Sequence, residues 1–521
     1  MTANTATPEP PEPQAEPDPA LGCLSGDDAV LHGDYTDRTS SGVDIRAYRV
    51  VTGSIDITGT LPLPCLERVG GDFIIATAGA VHGLERLEHV GGSLIIDGQG
   101  AQTMGVAGLS ALQSVGGDLY IVHSQYLRTL EGFEQLRSVE GDFLIEVVPL
   151  LRSLEGLRGL TRIGGTLSIL AGSTTLKSLH GLEQLTDLGG LGLAAFDGLT
   201  SLEGLAPLTR IRGDVSFSQL PAFSSLGALS TLERIDGTLR FEFMQQPLDL
   251  SPLANLTQLG GLSIVAANVP TLAPLSGLRT LGTLDLQAGP TDLQGLHNLT
   301  SLDNLYVFGA LTSLAGLQQI TSLATLYIRS SGLASMSGLD NLETITSDAT
   351  LTENGALTSL AGLGKLRRVG GNLSFDYNSA LSNLTGLEAL EQVDGALNVS
   401  RMPGLTSLAG LSALTRPAAL FIAANPVLVD ISALPPPAAP VVALSVYQNP
   451  WLSRCQAESL AAVLETTCSC PESSTDHCVP GCSTSSGARH GSCTLCNGPS
   501  YCTCDGACNC VGNNNLVACA P

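Results

Sequence analysis

A short phrase, two glycines or Gly-Asp followed by alternating apolar residues, recurs along most of this chain and constrains its fold more than any other feature. Weaker copies continue as far as Leu444, and the clear copies begin at Gly70, Gly91, Gly116, Gly141 and Gly164. The spacing is about 21 to 25 residues, which gives about eighteen copies between Val51 and Tyr447. Such a repeat predicts a solenoid, in which each copy forms one coil that packs on its neighbours.

Each coil is predicted to contain one strand and one return segment. Period-two alternation makes each Gly-Gly-x-Leu-x-Ile segment a short strand with one buried face. The return carries a second phrase, Leu-x-Ser-Leu-x-Gly-Leu-x-x-Leu, as in Leu151 to Leu160 and Leu405 to Leu414. We expect its aliphatic residues to point inward. We also expect the paired glycines to adopt positive φ at the corner that leads into each strand.

These two phrases resemble the leucine-rich-repeat superfamily, and the Gly-Gly-x-Leu-x-Ile strands look most like receptor L-domain repeats. The resemblance covers about three-quarters of the chain. It implies a β-rich solenoid, a right-handed leucine-rich-repeat or receptor L-domain-like coil of about 18 turns with one long parallel sheet. The family implies ligand binding or adhesion and no catalysis. A bacterial protein, secreted or lipoprotein-like, fits the pattern.

The charge balance excludes two classes of partner. The formal net charge is −24, and only 14% of the residues are charged. A strongly acidic surface repels phosphate backbones and anionic lipid headgroups, so we expect no nucleic-acid partner. We expect contact with a membrane only through a possible N-terminal lipid anchor.

The cysteines are concentrated at the two ends of the chain. Fourteen are present, and none lies between Cys65 and Cys455. This placement predicts disulfides and hence an oxidising compartment. We expect Cys23 to pair with Cys65 in an N-terminal cap, and Cys455 to pair with Cys468 across a short capping helix.

The other ten cysteines predict a small domain that is held by covalent bridges because it has little core of its own. Zinc is the alternative, with Cys493-x-x-Cys496 and nearby histidines as ligands. The predicted organisation is a Pro/Glu-rich disordered tether at 1–22, a disulfide-closed cap with the first coils at 23–69, and the solenoid at 70–450. A C-terminal cap helix at 451–469 and a Cys-rich module at 470–521 follow.

No apolar segment for secretion or membrane insertion is present in the sequence given. Because the cysteines nevertheless indicate an oxidising environment, we expect the protein to be extracytoplasmic, secreted or on the outer cell surface. The true signal sequence is then expected upstream of Met1, and the Pro/Glu-rich stretch becomes a tether.

Catalytic signatures are missing from the sequence. It contains no nucleophile elbow, P-loop, HExxH zinc motif or dinucleotide fingerprint. Asp118 and Asp142 align on neighbouring coils, which keeps a polysaccharide-active β-solenoid enzyme open. Because both follow the glycine corner, turn capping is the favoured interpretation. We expect no catalytic residue, no metal and no cofactor.

Binding residues are sought on the outward side of the predicted strands. Most outward positions are Ser, Thr, Asp or Ala, and aromatic residues make up only 4% of the chain. Tyrosine and arginine dominate interface energies, although aromatic residues also favour strands for local packing. The candidate ligand-binding residues are Tyr306, Phe308, Tyr327, Arg329, Tyr120 and Arg240. A non-enzymatic protein that presents its sheet to a protein or glycan is predicted, with a structural envelope rod as the alternative.

Overall fold

The computed structural model describes residues 22–37, 43–59, 61–76, 79–98, 105–170, 175–309, 311–435 and 443–452, with the backbone of 503–504, 509–512 and 515–518. The chain forms two compact units. The first comprises Met1–Gly189 with Glu203–Ala206, and the second comprises Gly190–Leu202 with Pro207–Pro521. Within the described ranges, no helix has the length and apolar character needed to cross a membrane.

The first unit is a parallel β-solenoid with one principal strand per coil. Short strands at the corners are Val30–Leu31, Val50–Val51, Arg68–Val69, His89–Val90, Ser114–Val115 and Ser138–Val139. The short strand Tyr35–Thr36 pairs with Ile55–Thr58 and belongs with the principal strands. The principal strands are Ile55–Thr58, Phe73–Ala76, Leu94–Asp97, Leu119–Val122, Phe143–Glu146 and Arg162–Leu170. Short 3-10 helices are Gly26–Ala29, Ile45–Ala47, Ala107–Leu109 and Glu155–Leu157.

The second unit is built in the same way. Its 3-10 helices are Gly227–Leu229, Ser251–Leu253, Ala273–Gly277 and Gln294–Leu296. The strand Asp187–Ala194 crosses the division between the units, and the strands after it are Arg210–Ile211, Val215–Ser218, Arg234–Glu242, Gln258–Val265, Thr280–Gln287, Ser301–Phe308, Ser322–Leu323, Thr325–Arg329, Thr344–Ile345, Ala349–Thr352, Arg368–Val369, Leu373–Asp376, Gln392–Ser400, Arg416–Ala423 and Ala443–Tyr447.

The parallel register places like residues above one another. In the first unit, Leu94 is paired with Phe73 on one side and with Leu119 on the other. These inward residues are fully buried, as are Leu151, Leu154, Leu157 and Leu160 of the return phrase. Each fully buried aliphatic side chain contributes about 1.5–3 kcal/mol, so the core is a set of continuous aliphatic columns. The predicted parallel solenoid is confirmed.

The paired glycines do not adopt the predicted positive φ, and that prediction was wrong. Positive φ occurs instead at the glycine of the return phrase, such as Gly132 with φ 116°, and just after the strands, as at His123 with φ 51°. The paired glycines are required by close approach between coils. A Cβ on Gly116 would overlap the carbonyl oxygen of Gly91 in the preceding coil.

Three short strands lie near the C-terminus. They are Thr503–Cys504, Asn509–Gly512 and Asn515–Ala518, and they form an antiparallel sheet. The backbone register sets Cys504 opposite Cys510. The predicted tether up to Leu21, the cap helix with Cys455 and Cys468, and the side chains of the Cys-rich module lie outside the described residues. The domain boundaries predicted there remain expectations.

Candidate ligand-binding surface

Four of the predicted binding residues lie together on the outward face of the second unit. The strands Ser301–Phe308 and Thr325–Arg329 are neighbours, and their register sets Tyr306 beside Tyr327 and Phe308 beside Arg329. Leu305, Val307, Leu326 and Ile328 alternate with them and are buried. Because the inward residues hold both strands against the core, the outward four are fixed as one surface, here called the aromatic patch.

The rings of the aromatic patch contact one another diagonally. The Phe308 and Tyr327 centroids are 5.2 Å apart, with 32° between the ring planes. Tyr306, Phe308 and Tyr327 are half-buried, whereas Arg329 is exposed. Aromatic pairs at this separation contribute about 0.5–1.5 kcal/mol beyond the area they bury. The Phe308 and Tyr327 rings therefore stabilise each other's position on the surface.

Arg329 is held by a carboxylate from the next coil. Its Nη2 donates to Glu353 Oε1 at 3.0 Å, and its Nε donates to Glu353 Oε2 at 3.1 Å. The Arg329 guanidinium and the Ser330 hydroxyl hold the pKa of Glu353 below its usual range. This two-pronged ion pair orients the guanidinium, and both partners remain accessible to solvent.

Polar residues border the patch on both sides. Asp285 and Gln287 pair with Tyr306 and Phe308 on the preceding strand. On the following strand, Thr350 pairs with Tyr327 and Thr352 pairs with Arg329. Aromatic groups surrounded by polar groups form a compact contact area, as in the centre and rim of a protein interface.

The other two predicted residues lie away from the patch. Arg240 is on the strand Arg234–Glu242, and the strands Gln258–Val265 and Thr280–Gln287 separate it from Ser301–Phe308. Its Nη1 donates to Glu242 Oε1 at 3.4 Å. Tyr120 belongs to the first unit, and its hydroxyl donates to Asp118 Oδ2 at 2.9 Å. That hydrogen bond to a carboxylate raises the pKa of Tyr120.

Asp118 and Asp142 take part in a hydrogen-bond ladder that joins coils. The backbone N–H of Asp142 donates to Asp118 Oδ1 at 2.8 Å, and that of Thr166 donates to Asp142 Oδ1 at 2.7 Å. Ser93 has the same role in the preceding coil, where its Oγ accepts the N–H of Asp118 at 3.0 Å. The two aspartates thus cap the backbone of the next coil and not their own turn. The hydrogen-bond ladder is a structural cause for their alignment.

A second ladder, made of buried asparagines, escaped the sequence analysis. The backbone N–H of Asn354 donates to Asn378 Oδ1, and the N–H of Asn425 donates to Asn449 Oδ1, both at 3.0 Å. Met402 occupies the equivalent position in the coil between those of Asn378 and Asn425, and its sulfur accepts the N–H of Asn378 at 3.3 Å. The available signal was an Asn two residues after each of four strands, at positions 354, 378, 425 and 449, because buried Asn must have partners for its amide.

The N-terminal cysteines are bonded to each other in the structure. The Cys23–Cys65 disulfide spans a sequence separation of 42, with Cα atoms 5.5 Å apart. Cys65 is buried. Over the described part of the chain, no three His, Cys, Asp or Glu side chains gather closely enough to hold a metal ion.

The outward face of the first unit differs from the prediction that such positions are mostly polar. Ile74, Ile95 and Leu144 occupy it, each half-buried, with Tyr120 among them. Their strands carry isoleucine or leucine on both faces, so alternation of apolar and polar residues could not reveal which side is outward. The parallel register shows which side of these strands faces outward.

Comparison with known proteins finds matches of low similarity among solved structures. No family model matches the sequence, and no curated protein matches it. Among solved structures, the chain is similar to an internalin from Listeria monocytogenes, with 15% identity and a TM-score of 0.32 over 64% of this chain and 81% of that chain.

Two further solved structures extend the likeness over more of the chain. One is the TLR13–ssRNA13 complex, with 14% identity and a TM-score of 0.35 over 83% of this chain and 82% of that chain. The other is the mouse RP105/MD-1 complex, with 14% identity and a TM-score of 0.30 over 82% of this chain and 84% of that chain. On the evidence of its own repeated phrases, parallel strands and inward leucine columns, the chain has the architecture of a leucine-rich-repeat solenoid.

Proposed function

We propose that this is a non-enzymatic, extracytoplasmic binding protein and that the aromatic patch of the second unit is a contact site for a protein ligand. The observation that carries the proposal is the alignment of Tyr306, Phe308, Tyr327 and Arg329 on two adjacent strands. Tyrosine and arginine side chains, packed on a rigid support and bordered by polar groups, are the residues that dominate binding energy in protein interfaces.

A rigid support reduces the entropic cost of binding. Phe308 and Tyr327 already pack on each other, and Arg329 is already oriented by Glu353. Ordering a mobile side chain at an interface costs about 0.5–1.5 kcal/mol, and this patch avoids much of that cost. Recognition would proceed through shape and polar complementarity along the sheet, without a deep pocket.

A protein ligand is favoured over a glycan by the arrangement of the rings. A sugar stacks on an open aromatic face, whereas the Phe308 and Tyr327 rings pack against each other at 5.2 Å. The Arg329–Glu353 pair offers both a cation and an anion to polar groups of a polypeptide. The net charge of −24 opposes a nucleic-acid ligand.

The Cys23–Cys65 disulfide supports an extracytoplasmic location, because structural disulfides persist in oxidising compartments. Its position also fits a cap, since the first coil of a solenoid has no preceding coil to cover it. Export by an upstream signal sequence, with a lipid anchor as a possible attachment, belongs to the same proposal.

The test is affinity capture from surface and culture extracts of the source cells with three immobilised full-length chains. These are the unmodified chain, the triple variant Tyr306→Ala/Tyr327→Ala/Arg329→Ala, and a control with Ser216→Ala/Ser218→Ala at outward positions of the same unit. A protein retained by the first and third chains but lost from the triple variant supports the proposal.

Three results would argue against the proposal. Equal retention by all three chains would place binding elsewhere. Retention of glycans on an array, abolished in the triple variant while no protein is captured, would favour a glycan ligand. Release of soluble sugar from a polysaccharide, abolished by Asp118→Asn, would establish the enzyme alternative.

A further inference from the structure

The first unit carries an apolar surface that the aromatic patch does not include. Ile74, Ile95, Tyr120 and Leu144 occupy equivalent outward positions on four successive coils, and the register pairs each with the next. All four are half-buried and belong to the outward side of strands whose alternate residues fill the core. We call this row the apolar stripe.

The stripe is a local feature and not a property of the repeat. In the second unit the equivalent outward positions are mostly polar, among them Ser216, Ser263, Thr350, Ser374 and Asn398. Isolated apolar residues on a surface are ordinary, but a continuous row that spans four coils marks an interaction surface.

Carboxylates border the stripe on both sides. Two residues before the stripe residue, three of the four strands carry an aspartate: Asp72, Asp118 and Asp142. Two residues after it, the strand of Ile95 carries Asp97 and the strand of Leu144 carries Glu146. Neither flanking row contains a lysine or an arginine; the residues of the two rows are Asp72, Ser93, Asp118, Asp142, Ala76, Asp97, Val122 and Glu146. A partner that covers the stripe therefore meets negative charge at both margins, which favours a basic rim around an apolar centre.

The spacing along the stripe fits a helix better than an extended strand. Neighbouring strands lie about 4.8 Å apart, so the stripe presents one apolar residue about every 4.8 Å. An α-helix rises about 5.4 Å per turn and shows one apolar residue per turn on one face, whereas an extended strand shows one about every 6.6 Å. A helix that lies across the strands can therefore place one apolar residue near each stripe residue over four coils.

We propose that the apolar stripe of the first unit docks an amphipathic helix of a partner protein, with a leucine-rich face and lysine or arginine on its flanks. The helix lies across the strands, its apolar residues on Ile74, Ile95, Tyr120 and Leu144. Its cations face the bordering carboxylates, among which Asp97 and Glu146 do not belong to the aspartate ladder. This site shares no residue with the aromatic patch, and the proposal does not depend on the proposed function.

The experiment measures binding of a fluorescent 14-residue model helix of leucine and lysine to the full chain by anisotropy. Two control peptides have the same length: one replaces every lysine with glutamate, and the other keeps the composition in a scrambled order that has no apolar face. The expected result is binding of the first peptide at least tenfold tighter than either control, weakening as salt is added.

Variants of the chain locate the site. Ile95→Thr/Leu144→Thr places β-branched threonines, which suit strands, at both positions and should weaken binding at least tenfold. Asp97→Asn/Glu146→Gln should weaken it severalfold and reduce its dependence on salt. Ser216→Ala/Ser218→Ala and the aromatic-patch triple variant should bind as the unmodified chain does, which separates this proposal from the proposed function.

Several outcomes would overturn the proposal. The scrambled peptide binding as tightly as the amphipathic one would mean general attraction of cations to an acidic protein. Unchanged binding by the threonine variant, with an unchanged circular dichroism spectrum, would place the helix elsewhere. If the threonine variant unfolds, the Asp97→Asn/Glu146→Gln chain decides the matter. Unchanged affinity and salt dependence in that chain would also mean that the helix binds elsewhere. Absence of binding to the unmodified chain would also refute it.

Discussion

Asn378 Oδ1 accepts the backbone N–H of Asn354, 3.0 Å away in the preceding coil. The Nδ2 of the same side chain donates to the carbonyl oxygen of Leu351 at 2.8 Å. Both asparagines are fully buried, so water cannot replace either partner. One side chain thus satisfies two backbone groups where an unpaired group would cost about 1–3 kcal/mol.

Replacing Asn378 with leucine should destabilise the second unit by about 2–5 kcal/mol, because two buried backbone groups lose their partners. Met402→Leu, at the equivalent position one coil later, should cost less than about 1.5 kcal/mol, since sulfur is a weak acceptor and the volume is conserved. Urea unfolding followed by circular dichroism measures both. Equal costs for the two variants would mean that packing, and not hydrogen bonding, accounts for the ladder.

Gly116→Ala should destabilise the first unit by about 1–3 kcal/mol, because the new Cβ would overlap the carbonyl oxygen of Gly91 and push the coils apart. Gly364→Ala is the control: its Cβ would meet no atom within 4 Å, and its φ is not positive. Thermal unfolding of both variants gives the comparison. A Gly116→Ala chain as stable as the control would disprove close approach as the reason for the glycine.

Asp118→Asn should lower the pKa of Tyr120 towards that of an ordinary tyrosine, because the hydrogen bond to a charged carboxylate is what raises it most. The Asn retains an oxygen for the N–H of Asp142, so the ladder survives. Since the folded pKa is raised, the contribution of this bond to stability is present below the unfolded pKa, about 10, and is lost as pH rises through the folded value.

The Tyr120 titration can be followed by NMR of tyrosine labelled with carbon-13 at Cζ, with Tyr120→Phe identifying the signal. An unaltered titration in the Asp118→Asn chain would show that the hydrogen bond is not the cause.

Removing the Cys23–Cys65 bridge by Cys23→Ser/Cys65→Ser should lower the free energy of unfolding by about 2–4 kcal/mol, because the unfolded chain regains the entropy of an open loop. Peptide mapping of the unreduced protein by mass spectrometry should find the two cysteines joined. Recovery of both as free thiols from freshly isolated protein would refute the bridge and weaken the case for an oxidising compartment.

The course of the chain within one coil follows from local pattern. Alternation around Leu167 and Ile169 requires a strand with a buried face, and the leucines from Leu151 to Leu160 require a return that points inward. Both follow from the hydrophobic effect acting over a few residues. The aromatic patch could also be located, because Tyr306 and Tyr327 occur at the same position in successive repeats.

The reasons for particular residues could not be read in the same way. The paired glycines suggested a corner with positive φ, whereas Gly116 is needed because another coil passes above it. Asp118 suggested a cap for its own turn, but its acceptor oxygen serves Asp142 one coil later. In each case the deciding neighbour lies about one repeat away in the chain.

The repeating coil, its inward aliphatic columns and the parallel order of its strands follow from the amino-acid pattern, because these depend on the repeat period. The neighbours of each outward residue follow from the way the coils stack. Stacking sets the register, and register alone makes Phe308 a neighbour of Tyr327 and turns Ile74, Ile95 and Leu144 into a continuous row.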